Sequence, residues 1–133
     1  MWFESLRKKI ENRTAKVGVI GLGYVGLPLS ATIAKAGFQV TGIDLSEEKV
    51  NQVNDGISYI SDLSLETLAP LIQRGQIRAM TNDAVLCELD IINICVPTPL
   101  SKSKSPDISY IIAAVASVAK YLHRGQLIIL KST

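Results

Sequence analysis

The chain is short of several things, and each shortage excludes a class of protein. It has two cysteines, Cys87 and Cys95, and one histidine among 133 residues. Both cysteines sit in apolar surroundings with no CxxC spacing. A disulfide scaffold or a Cys/His zinc site is therefore excluded, no metal is expected, and both thiols should lie buried in a reduced, cytoplasmic protein. An excess of either charge is also missing. Lys and Arg number 14 against 12 Asp and Glu, a net charge of +2, and no stretch interleaves basic with aromatic residues. Neither nucleic acid nor a membrane surface is expected as a partner. No apolar run approaches the roughly 18 residues of a membrane span. The opening "MWFESLRKKIENRTAK" has charge interrupting every apolar run, unlike a secretory leader.

What remains is 47% hydrophobic and 20% charged, the balance of one globular α/β domain with a real core. Residues 1–15 read as an amphipathic helix. Trp2, Phe3, Leu6 and Ile10 form a stripe expected to pack on the chain's own domain. From Lys16, strands and helices alternate. "KVGVIG" is a strand, "YVGLPLSATIAKAG" a helix closed by Gly37, and "FQVTGID" a second strand. "SEEKVNQVNDG" is a helix with Ser46 as its cap and Glu47 and Glu48 in its first turn, where the helix dipole favours them. "ISYISD" is irregular and "LSLETLAPLIQRG" helical. "QIRAMT", "DIINICV" and "QLIILKST" are strands, with the brief helix "DAVLCEL" before the second of them. The loop "PTPLSKSKSPD" then leads into the helix "ISYIIAAVASVAKYLHRG". Uninterrupted apolar strands alternating with helices predict a doubly wound parallel sheet of the Rossmann type over 16–133, covered on both faces.

"VIGLGYVGLPLS" places Gly21, Gly23 and Gly26 after a strand and at the mouth of a helix. In that position the first glycine serves a tight turn. The second lets the backbone approach a pyrophosphate, and the third lets helix and strand pack closely. Free N–H groups at the helix start would receive the phosphates. Asp44 ends the next strand, 18 positions after Gly26, where a carboxylate accepts hydrogen bonds from ribose hydroxyls and repels a 2′-phosphate. The residues after it are Leu45, Ser46, Glu47 and Glu48, with no arginine, so NAD is favoured over NADP. Lys49 would lie near the adenosine edge, with a solvated helix lysine as the competing and more ordinary reading. A ligand-free glycine turn and another adenine cofactor are the competing readings.

"ICVPTPL" ends the fourth strand, and Thr98 is held rigid between two prolines. It and the terminal "KST", with Ser132 and Thr133, would emerge at the rim where doubly wound sheets bind ligands. His123 in "LHRG" suits a helix end rather than catalysis, Cys95 and Cys87 suit the core, and "SKSKSPD" suits a solvated loop. No catalytic residue is assigned.

Read in order, "GVIGLGYVGLPLS", Asp44, "ICVPTPL", "PDISYI" and "LIILKST" resemble the UDP-glucose/GDP-mannose dehydrogenase family over about residues 16 to 133. "GISYISDL" looks more like its UDP-N-acetylglucosamine 6-dehydrogenase branch. The resemblance implies that the loop backbone at Tyr24 and Val25 contacts NAD, with Asp44 on the ribose and Thr98 and Thr133 along the cofactor. It implies a UDP-sugar substrate, oxidised at C6 to a carboxylate with two NAD through a cysteine thiohemiacetal. It also implies a homodimer or larger oligomer formed by further regions. Neither Cys87 nor Cys95 stands at the nucleophile's place, so these residues are expected to bind NAD without turning over sugar. A NAD-sensing regulatory domain and the cofactor domain of a β-hydroxyacid dehydrogenase share the glycine loop and are the alternatives.

Overall fold

A computed structural model describes residues 1–61 and 63–131. Helix α1 (Trp2–Glu11) precedes β1 (Lys16–Ile20), α2 (Gly26–Lys35), β2 (Gln39–Ile43), α3 (Glu47–Asn54), α4 (Leu65–Gln73) and β3 (Ile77–Met80). A 3₁₀ turn (Asp83–Glu88), β4 (Ile91–Ile94), α5 (Ser109–Tyr121) and β5 (Leu127–Leu130) complete the order. The five strands form one parallel sheet ordered β3-β2-β1-β4-β5. The chain winds outward from β1 in one direction, then returns to its other side at β4. The reversal between β1 and β4 is the switch point where such sheets open a crevice beyond their carboxyl ends.

Alternate strand residues feed two cores, as the two-residue period of a strand requires. Val17, Val19 and Val40 join Leu27, Ala31 and Val53 on one face. Ile20, Ile43, Ile92 and Ile94 join Ala114 and Val118 on the other. Asn54 ties α3 to the edge strand through a two-way amide contact. Its Nδ2 donates to the Ala79 carbonyl at 2.9 Å, and the Ala79 N–H donates to its Oδ1 at 2.8 Å. Ser46 caps α3 as expected, accepting from the Lys49 N–H at 3.2 Å.

Four expectations change. The α1 stripe does not pack into the domain: α1 has no buried residue, and Phe3 is 70% exposed. That helix is held at single points, by the Lys9–Asp90 ion pair at 3.0 Å and by Trp2 against Gly125. Cys87 is exposed, because the 3₁₀ turn directs Val85 and Leu86 inward and leaves Cys87 facing out. The sheet is uncovered at β5, where Leu127, Ile129 and Leu130 are exposed, since among the described residues no helix packs outside that edge. Helix α2 begins at Gly26 rather than Tyr24, so Gly23 to Val25 remain a turn.

Candidate functional site

β1 ends at Ile20, and the chain turns at Gly21 with φ of 97°. The Gly21 N–H donates to the Ile43 carbonyl at 2.8 Å, and the Cys95 N–H donates to the Ile20 carbonyl at 2.8 Å. The loops after β1, β2 and β4 therefore meet here. A Cβ on Gly21 would lie 2.8 Å from the Cys95 carbonyl oxygen, and one on Gly26 would lie 1.6 Å from the Gly21 carbonyl oxygen. These two glycines exist for close packing. Gly23 differs: a Cβ there would meet nothing within 4 Å. The space above it is open, as an approaching ligand requires.

The start of α2 is equally free. Its cap residue, Val25, offers no side-chain hydrogen bond, and its first turn has no acid. Among the described residues, the backbone N–H groups of Gly23, Tyr24 and Val25 have no partner within the protein. Three consecutive free donors at the positive end of a helix form a receptor for an anion.

Leu22, fully buried, fixes the loop from below. Its side chain fills the space left by Gly42 of β2, where a Cβ would lie 2.6 Å from Leu22 Cδ2. Its N–H donates to Asp44 Oδ2 at 2.8 Å, and its carbonyl accepts from the Tyr59 hydroxyl. The other carboxylate oxygen of Asp44 accepts from the Ser46 N–H at 2.9 Å. Tyr59 is half-buried. Burial first, and the Asp44 charge second, push its phenol well above the ordinary tyrosine range. Lys49 holds its ammonium 6.0 Å from the centre of the Tyr59 ring.

Two clefts flank this loop. One, of about 440 Å³, runs between Asp44, Thr81 and Asp83 on one side and Pro97, Tyr110 and Ala113 on the other. The second, of about 540 Å³, is lined by Gly23, Tyr24, Tyr59, Thr98 and Lys131. Gly21, Asp44, Lys49, Val96 and Pro97 line both, so the clefts are two lobes of one trough across the switch point. Cys95 follows directly after β4 and lines the second lobe. Its thiol is pushed up by burial and drawn partly back by the Lys131 charge.

Of the residues singled out from sequence, Gly21, Asp44 and Lys49 border both lobes. Gly23, Tyr24, Val25 and Thr98 border the second, and Gly26 packs behind the loop. Thr133 and Ser132 lie outside the described residues. Sequence reasoning missed Tyr59, Thr81, Asp83 and Tyr110, whereas Lys131, first of the "KST" expected at the rim, borders the second lobe. Tyr110 could have been found, because the first turn of a helix following a switch-point loop faces the crevice. Tyr59 lies in an irregular stretch with no periodic signal.

An open glycine loop, free helix donors and a strand-end carboxylate, gathered at a switch point, fit a dinucleotide. The sequence matches the profile of the UDP-glucose/GDP-mannose dehydrogenase family, NAD binding domain, over residues 15–133. The chain belongs to this family. Its cofactor is NAD, and the regulatory-sensor and hydroxyacid-dehydrogenase alternatives give way to this assignment. The chain is 37% identical over 118 residues to the NDP-N-acetyl-D-galactosaminuronic acid dehydrogenase of Ralstonia nicotianae, covering 88% of this chain and 27% of that protein. It is 39% identical over 123 residues to the UDP-N-acetyl-D-mannosamine dehydrogenase of Methanococcus maripaludis, covering 89% and 28%. The solved UDP-D-ManNAc dehydrogenase of Pyrococcus horikoshii superposes with a TM-score of 0.83 at 34% identity, over 89% of this chain and 28% of that one. The chain thus spans under a third of the length of these relatives. No helix among the described residues is long and apolar enough to cross a membrane.

Proposed function

We propose that the trough holds NAD extended across the switch point, with its diphosphate on the N–H groups of Gly23, Tyr24 and Val25. The observation that carries this reading is the open space above Gly23 beside those three unpaired donors. The adenosine half occupies the lobe at Asp44, Thr81 and Tyr110. A carboxylate offers about four lone-pair directions, and Leu22 and Ser46 use two, which leaves capacity for the ribose hydroxyls. A 2′-phosphate there would meet the Asp44 charge. Lys49, bordering both lobes, lies near the adenosine edge, and Thr98 lies along the nicotinamide half. NAD supplies a hydride acceptor; the chain's own residues bind it, orient it and select it against NADP.

For the whole protein we propose oxidation of the C6 alcohol of a UDP-sugar to a carboxylate, with two NAD reduced per sugar and one water consumed. A UDP-N-acetylhexosamine is the favoured substrate. The relatives' names carry the acetamido sugars N-acetylgalactosaminuronic acid and N-acetylmannosamine, and the resemblance of "GISYISDL" adds UDP-N-acetylglucosamine to the candidates. Assembly into a homodimer or larger oligomer through further regions belongs to the same reading.

Calorimetric titration of this chain with NAD and NADP tests the cofactor placement. Tighter binding of NAD supports it, and equal binding of NADP would refute the role given to Asp44. Following NADH release by the whole protein with UDP-N-acetylglucosamine, UDP-N-acetylmannosamine and UDP-glucose tests the substrate. Turnover of UDP-glucose alone would sink the acetamido assignment.

A further inference from the structure

Leu22 stands between the buried bend at Gly21 and the exposed turn at Gly23 to Val25, and both of its backbone polar groups are held by side chains from elsewhere in the fold. Asp44, at the end of β2, accepts from its N–H at 2.8 Å. Tyr59, in the segment between α3 and α4, donates to its carbonyl. The circuit closes on itself. Asp44 also accepts from Ser46, Ser46 caps the Lys49 N–H, and the Lys49 ammonium sits over the Tyr59 ring. No other side chain from outside β1, β2 or their loops fixes the backbone of this turn among the described residues.

We propose that Tyr59 is a positioning residue for the dinucleotide, locking the Leu22 peptide so that the Gly23–Val25 donors converge before the cofactor arrives. This rests on the NAD reading of the trough. A loop pinned on one side only, by Asp44, could rotate its peptides about the other. Pinned on both sides, it binds without losing that freedom, which is how preorganisation raises affinity. The raised phenol agrees with the role, because burial favours the protonated hydroxyl that donates to Leu22. Tyr59 also faces the second lobe beside Gly23 and Tyr24, so ring and loop present one continuous wall to the ligand. It takes no part in hydride transfer.

The test compares Tyr59→Phe, which removes only the hydroxyl, with the parent in two measurements. The first is NAD affinity by calorimetry, and the second is amide hydrogen exchange of Leu22 and Gly21 in the ligand-free protein. Loss of one neutral hydrogen bond predicts NAD binding weakened about five- to tenfold. Leu22 exchange should accelerate to a similar degree while the amides of Val19 and Val40 stay unchanged. A filler of the core would move melting without this selective exchange. Affinity within about twofold of the parent in a folded Y59F would overturn the proposal. If Y59F fails to fold, Tyr59→Met, which keeps apolar bulk without a donor, replaces it in both arms. If the parent itself binds no NAD, the cofactor reading falls, while Leu22 exchange in Y59F still decides whether the hydroxyl holds the loop.

Discussion

The Leu22 N–H donates to Asp44 Oδ2 at 2.8 Å, so the residue proposed to select the cofactor also anchors the loop proposed to bind its phosphates. With Ser46 on the second oxygen, Asp44 accepts two backbone N–H groups before any ligand is bound. Asp44→Asn keeps the shape but turns an NH₂ toward one of those donors. The variant should lose about 1–3 kcal/mol of stability in urea denaturation, the cost of an unsatisfied polar group. Its preference for NAD over NADP should shrink about tenfold by calorimetry, since the charge opposing the 2′-phosphate is gone. An unchanged ratio would remove Asp44 from cofactor selection.

The glycines separate by experiment into packing and binding. A Cβ on Gly26 would lie 1.6 Å from the backbone oxygen of Gly21, where nothing flexible can move aside. Gly26→Ala should cost more than about 3 kcal/mol, the range of severe core strain, and leave little folded protein by circular dichroism. A Cβ on Gly23 meets open space, so Gly23→Ala should stay within about 1 kcal/mol of the parent. Its methyl would instead stand where the diphosphate approaches, and NAD affinity should fall at least about tenfold, roughly 1.4 kcal/mol. A folded G23A with parental affinity would place the phosphates elsewhere.

The order of elements was legible in the sequence because short, mainly apolar strands, broken only by Thr41, Arg78 and Asn93 within them, alternate with helical segments. Ser46 announced α3 by its own chemistry, and the profile of "GLGYVG" with Asp44 announced the crevice. Cys87 misled, since the tighter 3₁₀ turn rotates side chains differently from an α-helix of the same composition. Trp2, Phe3 and the outer residues of β5 misled for another reason. An apolar stripe states that a face can be buried and leaves open what buries it. Tyr59 was invisible because its partner, the Leu22 carbonyl, is 37 residues away in sequence and backbone acceptors leave no mark on composition.

The two thiols should report the site separately. Cys87 is exposed, whereas Cys95 is buried in the second lobe with its thiol pushed up by burial. A disulfide reagent at neutral pH should therefore label one thiol quickly and the other at least about tenfold more slowly, because the thiolate is the reactive form. Saturating NAD should slow the second phase further and leave the first unchanged. Protection of Cys87 in place of Cys95 would contradict the position assigned to the ligand.

Stability at high pH should carry the signature of Tyr59. Burial first, and the Asp44 carboxylate second, raise its phenol in the folded state above the value near 10 that an unfolded tyrosine has. The sign follows from linkage. Below pH of about 10 both states hold the proton, and the stabilising contribution is complete. Above it the unfolded chain loses the proton that the native ring retains, so stability falls as pH rises. The loss approaches at most about 1.4 kcal/mol per pH unit and is smaller where solvent reaches the half-buried ring. Y59F cannot titrate there. Plotted between about pH 9 and 11, the stability difference between parent and variant should narrow with rising pH. A constant difference would mean that the phenol ionises as readily folded as unfolded, and that neither its burial nor Asp44 constrains it.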